Sequence, residues 1–453
     1  MGKRSVSKES EKQTPTETIG GQERSPVHVV YGGADRFESA TPMKLGRLAV
    51  ASVRSFAPNF AVFAGALRLR GSEHLPSFPK AVKQLEAELK ATPEKIRHQD
   101  HGAWFAWTVY NKTIEKLKRE AIEDFRIDFE DGYGFRSDEE EDGHAISASS
   151  ELATLINKGR NTPFCGFRIK PLSAATKERA LRTLDLFLKN LTEKIIVHFP
   201  TNLLVTLPKV TSAKQVKELC KRLSSFERKN ELRKNTIGVE LMIETPDSLI
   251  DSRGRVAVRG LVDAAKGRCT SVHFGAYDYT SALGIAAAHQ DIRHPACSFA
   301  RHLMQTALAG ANVRLVDSVT TVMPVPVHRA DSLTEHQKAE NRRVVHSAWH
   351  RHFDNVTNSM IDGFYQSWDL HPNQFPARYA AVYAFFLSEM YPQAARLRGY
   401  IDKAAKATLT GNMFDDAASV AGLVNFFSVG ITCGAFSEDE VTDIVGRPIA
   451  EIA

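Results

Sequence analysis

The sequence predicts an α/β fold, a closed (β/α)8 TIM barrel. Eight short apolar runs, rich in branched and aromatic residues, have the length of buried strands. Amphipathic stretches such as AATKERALRTLDLFLKNL and SAKQVKELCKRLSSFERKNEL separate most of them, with apolar residues three and four apart. Several runs end in an acid or a basic residue followed by small or turn-forming residues. In a barrel of parallel strands such ends share one rim, where functional groups collect.

In chain order the strand-like runs are VHVVYGG (27–33), FRIDFED (125–131), FCGFRIK (164–170), LLVTLPKV (203–210), IGVELMIET (237–245), SVHFGAYD (271–278), VRLVDSV (313–319) and WDLHPNQ (368–374). The long connection 56–120, rich in Lys, Glu and aromatic residues, predicts a helical insert after the first strand, packed outside the barrel. A second long connection, 320–362, holds MPVPVH and then a charged helical stretch. Beyond Pro376 the pattern is helical. The expected organisation is a disordered polar tail over 1–25, a barrel domain over 26–390 and a C-terminal helical segment over 391–453.

Composition sets bounds on function. Hydrophobic residues make up 43% and charged residues 25% of 453, as in folded soluble domains. A net charge of +6, with both signs interleaved, gives no basic footprint for nucleic acid. Five widely separated cysteines lack paired spacing and read as reduced thiols of a cytoplasmic protein. The polar start lacks the apolar core of a secretory signal, and the Gly after Met1 is too short a motif to establish myristoylation. The uncharged run Ala417 to Phe436 approaches the length of a membrane span, but its Asn425, hydroxyl residues and glycines favour a helix buried in protein, so no membrane association is expected.

The chemistry is read from the strand ends. Glu244 and Asp278 terminate consecutive runs, so their carboxylates are placed to converge. Two oxygen ligands with room for water and substrate suit Mg2+ better than zinc. Each acid alternatively caps the helix that follows its strand. Arg168, beside such a site, offers a planar fork for a substrate carboxylate or phosphate. Lys170 and Lys209 share that edge and are candidate substrate-binding groups. The run FRIDFEDGYGF delivers Asp128, Glu130 and Asp131. Adjacent Glu130 and Asp131 point to opposite faces of an extended strand unless the chain turns at once, a turn that Gly132 permits. The histidines of HSAWHRH (His346, His350, His352) lack the acid of a zinc-protease motif and read as a solvated helix. His371, ending a strand before Pro372, reads either as a group at the site mouth or as a turn histidine bonded to backbone. YGGAD has neither nucleotide-binding glycine spacing.

Taken in order, IDFEDGYG, FRIKP, TLPKV, IETPDSL, FGAYDYTSALG and LHPNQF resemble the citrate lyase beta subunit and malyl-CoA lyase family, within the HpcH/HpaI aldolase and phosphoenolpyruvate/pyruvate-binding barrel superfamily. The match spans residues 125–375, while the N-terminal VHVVYGGADRF and the insert look like a separate aldolase-like branch. The resemblance implies a TIM barrel, assembled as a homo-trimer or hexamer, that uses magnesium for carbon-carbon lyase or condensing chemistry on small 2-oxo or hydroxy acids, often as CoA thioesters. It places Glu244 and Asp278 on the metal ligands, Arg168 on the carboxylate-gripping arginine, and Glu130 and Asp131 on the acid pair near the metal's waters. In relatives a catalytic acid arrives from a neighbouring subunit's C-terminal segment, for which Asp415 and Asp416 are candidates. Lys170 stands where the family has an amide, Gly132 and Tyr133 replace its Ala-Val turn, and no CoA-binding signature is present.

The sequence therefore leads to an expected Mg2+-dependent lyase or aldolase acting on a small organic acid through an enolate. Arg168, Asp131 and Glu130 are its catalytic groups, Arg168, Lys209 and Lys170 bind substrate, and Glu244 and Asp278 hold the metal. Phosphoryl transfer involving phosphoenolpyruvate or pyruvate, and a non-catalytic acid-binding regulatory barrel, are the alternative readings.

Overall fold

The computed structural model describes residues 18–19, 22–406 and 417–452. Its centre is a closed barrel of eight parallel strands. These are β1 (His28–Gly33), β2 (Asp124–Asp128), β3 (Phe164–Arg168), β4 (Leu203–Leu207), β5 (Gly238–Ile243), β6 (Cys269–Phe274), β7 (Arg314–Val319) and β8 (Gln366–Asp369). Each pairs with the next in sequence, and β8 closes onto β1 through Ser367 opposite His28. All eight expected runs are strands. Most end a few residues earlier than their apolar patterns, because the last residues turn into the loops of the mouth.

Alternation within the strands explains which residues reach that mouth. In β5, Val239, Leu241 and Ile243 are fully buried, and Glu240 and Met242 alternate with them on the barrel's inner face. In β2, Asp124, Arg126 and Asp128 likewise alternate with Phe125 and Ile127. The inner layer is thus polar, which a dry interior tolerates only when the groups satisfy one another. Arg126 Nη2 donates to Glu240 Oε2 at 2.9 Å and its guanidinium also pairs with Asp124. Glu240 accepts further from Thr206 Oγ1 at 2.6 Å and Ser271 Oγ at 2.7 Å. Gln366 Nε2 donates to Asp124 Oδ2 at 3.2 Å. Side chains from five strands are thereby tied together across the floor of the barrel.

The connection after β1 carries helices Thr41–Phe56, Phe60–Leu67, Pro79–Ala91, Pro93–Gln99 and His101–Arg119, as the insert predicts, with the first beginning before residue 56. Asn59 starts the second by accepting from Val62 N at 3.0 Å, and Asp100 starts the last by accepting from Ala103 N at 2.9 Å. The connection after β7 contains the helix Glu335–Ile361, opened by a Thr334/Gln337 capping box. His352 within it is fully buried with Nε2 2.9 Å from Asp369, so one face of this helix is core rather than solvated.

Contacts divide the chain into a unit over Pro26–Ala394 and a second unit formed by the described residues up to Ser25 and from Ala395 onward. The second holds a two-stranded antiparallel ribbon, Thr18–Ile19 with Gln22–Glu23, and helices Ala417–Thr432 and Glu438–Val445. Among the described residues no single helix is long and apolar enough to cross a membrane. The pair Thr41–Phe56 and Phe60–Leu67 passes on length and composition together, but it is bent by 95°, and Phe60, Phe63 and Leu67 are buried within the protein.

Candidate functional site

The mouth is organised by Asp128. As the last residue of β2 it accepts from Glu130 N at 3.0 Å and Gly132 N at 2.7 Å, which folds the chain back immediately after the strand. A Cβ at position 132 would lie 2.6 Å from Asp128 Oδ2, so the tight turn requires glycine there. The turn brings both Glu130 and Asp131 to the mouth, where a continued strand would have separated them.

Arg168 ends β3 directly opposite Asp128 in the ladder. Its Nε and Nη2 donate to the two Asp128 oxygens at 2.6 and 2.5 Å, a two-pronged pair. Its third nitrogen, Nη1, faces Glu130 at 3.1 Å, Asp131 at 3.5 Å and Met242 Sδ at 3.7 Å. Much of the fork expected to grip substrate is therefore held by the protein itself, with Nη1 directed into the acid cluster. Asp128 was visible in the sequence without an assigned role, and its register with Arg168 is what makes it the clamp.

Lys209 is the hub of the cluster. Its ammonium pairs with Glu130 and lies 3.2 Å from Asp131 Oδ1 and 3.6 Å from Asp278 Oδ2. Its backbone adopts φ 47°, a left-handed conformation costly for a side-chain-bearing residue. Its amide meets Glu244 Oε1 at 2.5 Å. Glu244 follows β5 on the inner face and is 2% exposed, while Asp278, on the helix Ala276–Ala282 after β6, has a side chain that is 46% exposed. A Cβ at Gly275 would meet Glu244 Cβ at 2.5 Å and Oε2 at 2.7 Å, so this glycine makes the room in which the Glu244 side chain lies.

Lys170 is not part of this group. Its ammonium is bound by buried Glu141 at 2.6 Å and the Phe129 carbonyl at 2.9 Å, tying the end of β3 to the helix Asp138–Asn157. His371 caps the short turn after β8, its Nδ1 accepting from Asn373 N at 3.1 Å. Asp415 and Asp416 lie outside the described residues.

Five acids, Asp128, Glu130, Asp131, Glu244 and Asp278, thus surround two cations, Arg168 and Lys209. Burial and the neighbouring charges set the ionisation of these acids. Burial pushes Glu244 up to about 8, the charge of Asp278 adding to it against the pull of Lys209. Burial also raises Glu130 despite Arg168. Asp131, although burial opposes it, is held below the usual range by its bond with Glu130 and by Arg168 and Lys209. Burial works against the Lys209 ammonium, but Glu130, Glu244 and Asp131 raise it above the ordinary lysine value.

The donor set fits a hard divalent cation, being all carboxylate oxygen with unbalanced negative charge. Among the described residues, however, no three His, Cys, Asp or Glu side chains are already gathered around a common ion position. The Lys209 ammonium lies on the centre toward which Glu130, Asp131 and Asp278 converge.

The deeper residues Tyr31, His273 and Trp368 escaped the reading of the sequence. Their signal is polar and aromatic residues at alternate, inward positions of otherwise apolar strands.

No curated protein matches the chain. Among solved structures, a citrate lyase from Burkholderia xenovorans LB400 superposes with TM-score 0.51 at 16% identity, over 75% of this chain and 92% of that one. A Haloferax volcanii malate synthase in its magnesium/glyoxylate complex gives TM-score 0.40 at 15% identity, over 67% of this chain and 71% of that one. RipC from Yersinia pestis gives 0.37 at 17%, over 58% and 90%. The citrate lyase likeness is one of fold. The model of a family described as a domain of unknown function, DUF6986, matches residues 4–453.

Proposed function

We propose, for a chain that belongs to the DUF6986 family, a Mg2+-dependent carbon-carbon lyase or aldolase activity on a small 2-oxo or hydroxy acid. The observation that carries this reading is the convergence of Glu130, Asp131 and Asp278 on the Lys209 ammonium, with Glu244 on the backbone amide of the same residue, beside Arg168 at the C-terminal rim of the barrel.

Glu244 and Asp278 are the residues that would hold the ion, with Lys209 turned out of the cluster. Magnesium, when bound, supplies a Lewis acid for the negative charge that develops on a keto oxygen as a carbon-carbon bond breaks. Arg168 Nη1, the nitrogen not committed to Asp128, binds the substrate carboxylate, and the Asp128 clamp fixes its direction. Asp131, held ionised, takes the hydroxyl proton of a 4-hydroxy-2-oxo acid as the bond to the aldehyde fragment breaks. Glu130, whose carboxyl burial pushes above the ordinary value, is placed beside Asp131 to return a proton to the enolate carbon of the other fragment. The two neighbouring acids thereby divide one proton-transfer cycle, and their opposite shifts suit the two roles.

The test is a panel of 2-oxo and 4-hydroxy-2-oxo acids assayed with magnesium for release of aldehyde and 2-oxo acid. Cleavage by the native chain that falls at least about 100-fold in Glu244→Ala/Asp278→Ala is expected. Cleavage that survives the double substitution sinks the assignment of the ion site.

A further inference from the structure

Tyr31 on β1 and Trp368 on β8 stand inside the barrel on the side next to the acid cluster. Their rings stack with centroids 4.5 Å apart and planes inclined by 24°. Both polar tips are anchored in the floor. The Tyr31 hydroxyl donates to Glu240 Oε1 at 3.0 Å, and the Trp368 indole N–H donates to His273 Nδ1 at 3.0 Å. Glu240 and His273 are fully buried, and Glu240 is itself held by Arg126, Thr206 and Ser271. The rings therefore stand in fixed orientation without help from a ligand. Both remain half-buried although they project inside a closed barrel. Tyr31 lies two residues, and Trp368 one, from the C-terminal end of its strand, so their open surface faces the mouth.

On the side toward β3, the Arg168 guanidinium carbon is 4.9 Å from the Tyr31 ring centroid. Around the rim the order is thus an indole, a phenol, the acids that follow β2, the guanidinium of β3 and then Lys209, Glu244 and Asp278. A substrate whose carboxylate meets Arg168 has its remaining atoms beside these rings. A two- or three-carbon acid would leave against water the ring surface that the Tyr31/Trp368 stack and Arg168 do not cover, whereas a flat unsaturated substituent would pack on it against rings whose ordering cost is already met.

We propose that Tyr31 and Trp368 determine substrate specificity, and that the site takes a 2-oxo acid bearing an aryl or comparably flat substituent. This deepens the reading above and rests on its placement of the carboxylate at Arg168. It is tested by binding, independently of turnover.

Calorimetric titration of the full chain in magnesium with phenylpyruvate and with pyruvate should show the aryl acid binding at least about tenfold more tightly. Trp368→Leu should bring the two affinities within about threefold of each other, and Trp368→Phe, which keeps a ring, should retain most of the preference. Equal affinities, binding of neither acid, or a preference undiminished in a folded Trp368→Leu chain overturns the proposal. A loss of folding in Trp368→Leu leaves the comparison to Trp368→Phe and Tyr31→Leu, of which at least the second must lose the preference. Preferential binding of phenylpyruvate by a chain that cleaves no member of the 4-hydroxy-2-oxo acid panel would refute the lyase reading and leave this one standing.

Discussion

Asp128 and Arg168 face each other in the parallel ladder and share two hydrogen bonds, at 2.6 and 2.5 Å, with both side chains buried. A buried pair of this kind is costly to break on one side only, because the surviving charge has lost both water and partner. Asp128 also closes the turn that carries Glu130 and Asp131. Asp128→Ala should therefore lower unfolding free energy by about 3–5 kcal/mol in urea titrations. Asp128→Leu/Arg168→Met, which removes both charges, should lose less than Asp128→Ala. A single-variant loss below about 1 kcal/mol would show that the pair does not hold the mouth together.

Glu244 gives a pH dependence whose sign is fixed. Its folded value of about 8 lies above that of an exposed glutamate, 4.5, so between these values the native chain holds a proton that the unfolded chain has released. Stability of the metal-free protein must then fall as pH rises through this window and level off above about 8. Each unit of displacement corresponds to about 1.4 kcal/mol, so the slope is large enough to read from denaturant midpoints. In chelator, Glu244→Gln should flatten the profile between pH 5 and 8 and be more stable than the native chain at pH 8.5. A profile unaltered by the substitution would place the titrating group elsewhere.

The barrel was legible in the sequence because each strand buries a face under helices, and that face leaves apolar residues in periodic array. Glu244, Asp278, Glu130, Asp131, Arg168 and Lys209 were legible as candidates because they follow those patterns directly. What could not be read was pairing. Strand order made Arg168 and Asp128 neighbours, but only their register makes Asp128 the partner of two guanidinium nitrogens. Lys170 and Lys209 look equivalent as lysines just past strand ends. Glu141, on a helix packed outside the barrel, takes one, and the left-handed turn at Lys209 sends the other to the acids. The polar floor of Arg126, Glu240 and His273 was hidden for a similar reason, since isolated charges in apolar runs show that they are buried without showing with what.

Gly275 should resist substitution. A methyl group there would stand 2.5 Å from the Glu244 Cβ, which cannot swing away because it is fixed to the backbone at the end of β5. Gly275→Ala should cost about 1–3 kcal/mol of stability and weaken divalent-ion binding by displacing the Glu244 carboxylate. Thermal unfolding with and without magnesium separates the two effects. An alanine variant with native stability and native response to magnesium would mean that the close approach relaxes without consequence.

In the proposed site Lys209 and a divalent ion would compete for one place. The ammonium lies among Glu130, Asp131 and Asp278, while Glu244 is engaged by the backbone amide of the same residue. An ion entering between Glu244 and Asp278 meets a positive charge that the surrounding acids stabilise, and part of its binding energy goes into displacing that charge. Lys209→Met keeps the length of the stem and removes the charge. The variant should bind Mn2+ at least about tenfold more tightly than the native chain in metal-binding titrations followed by paramagnetic resonance, with the larger gain at low ionic strength. Weaker binding in the variant would mean that Lys209 supports the ion site through its position rather than opposing it through its charge.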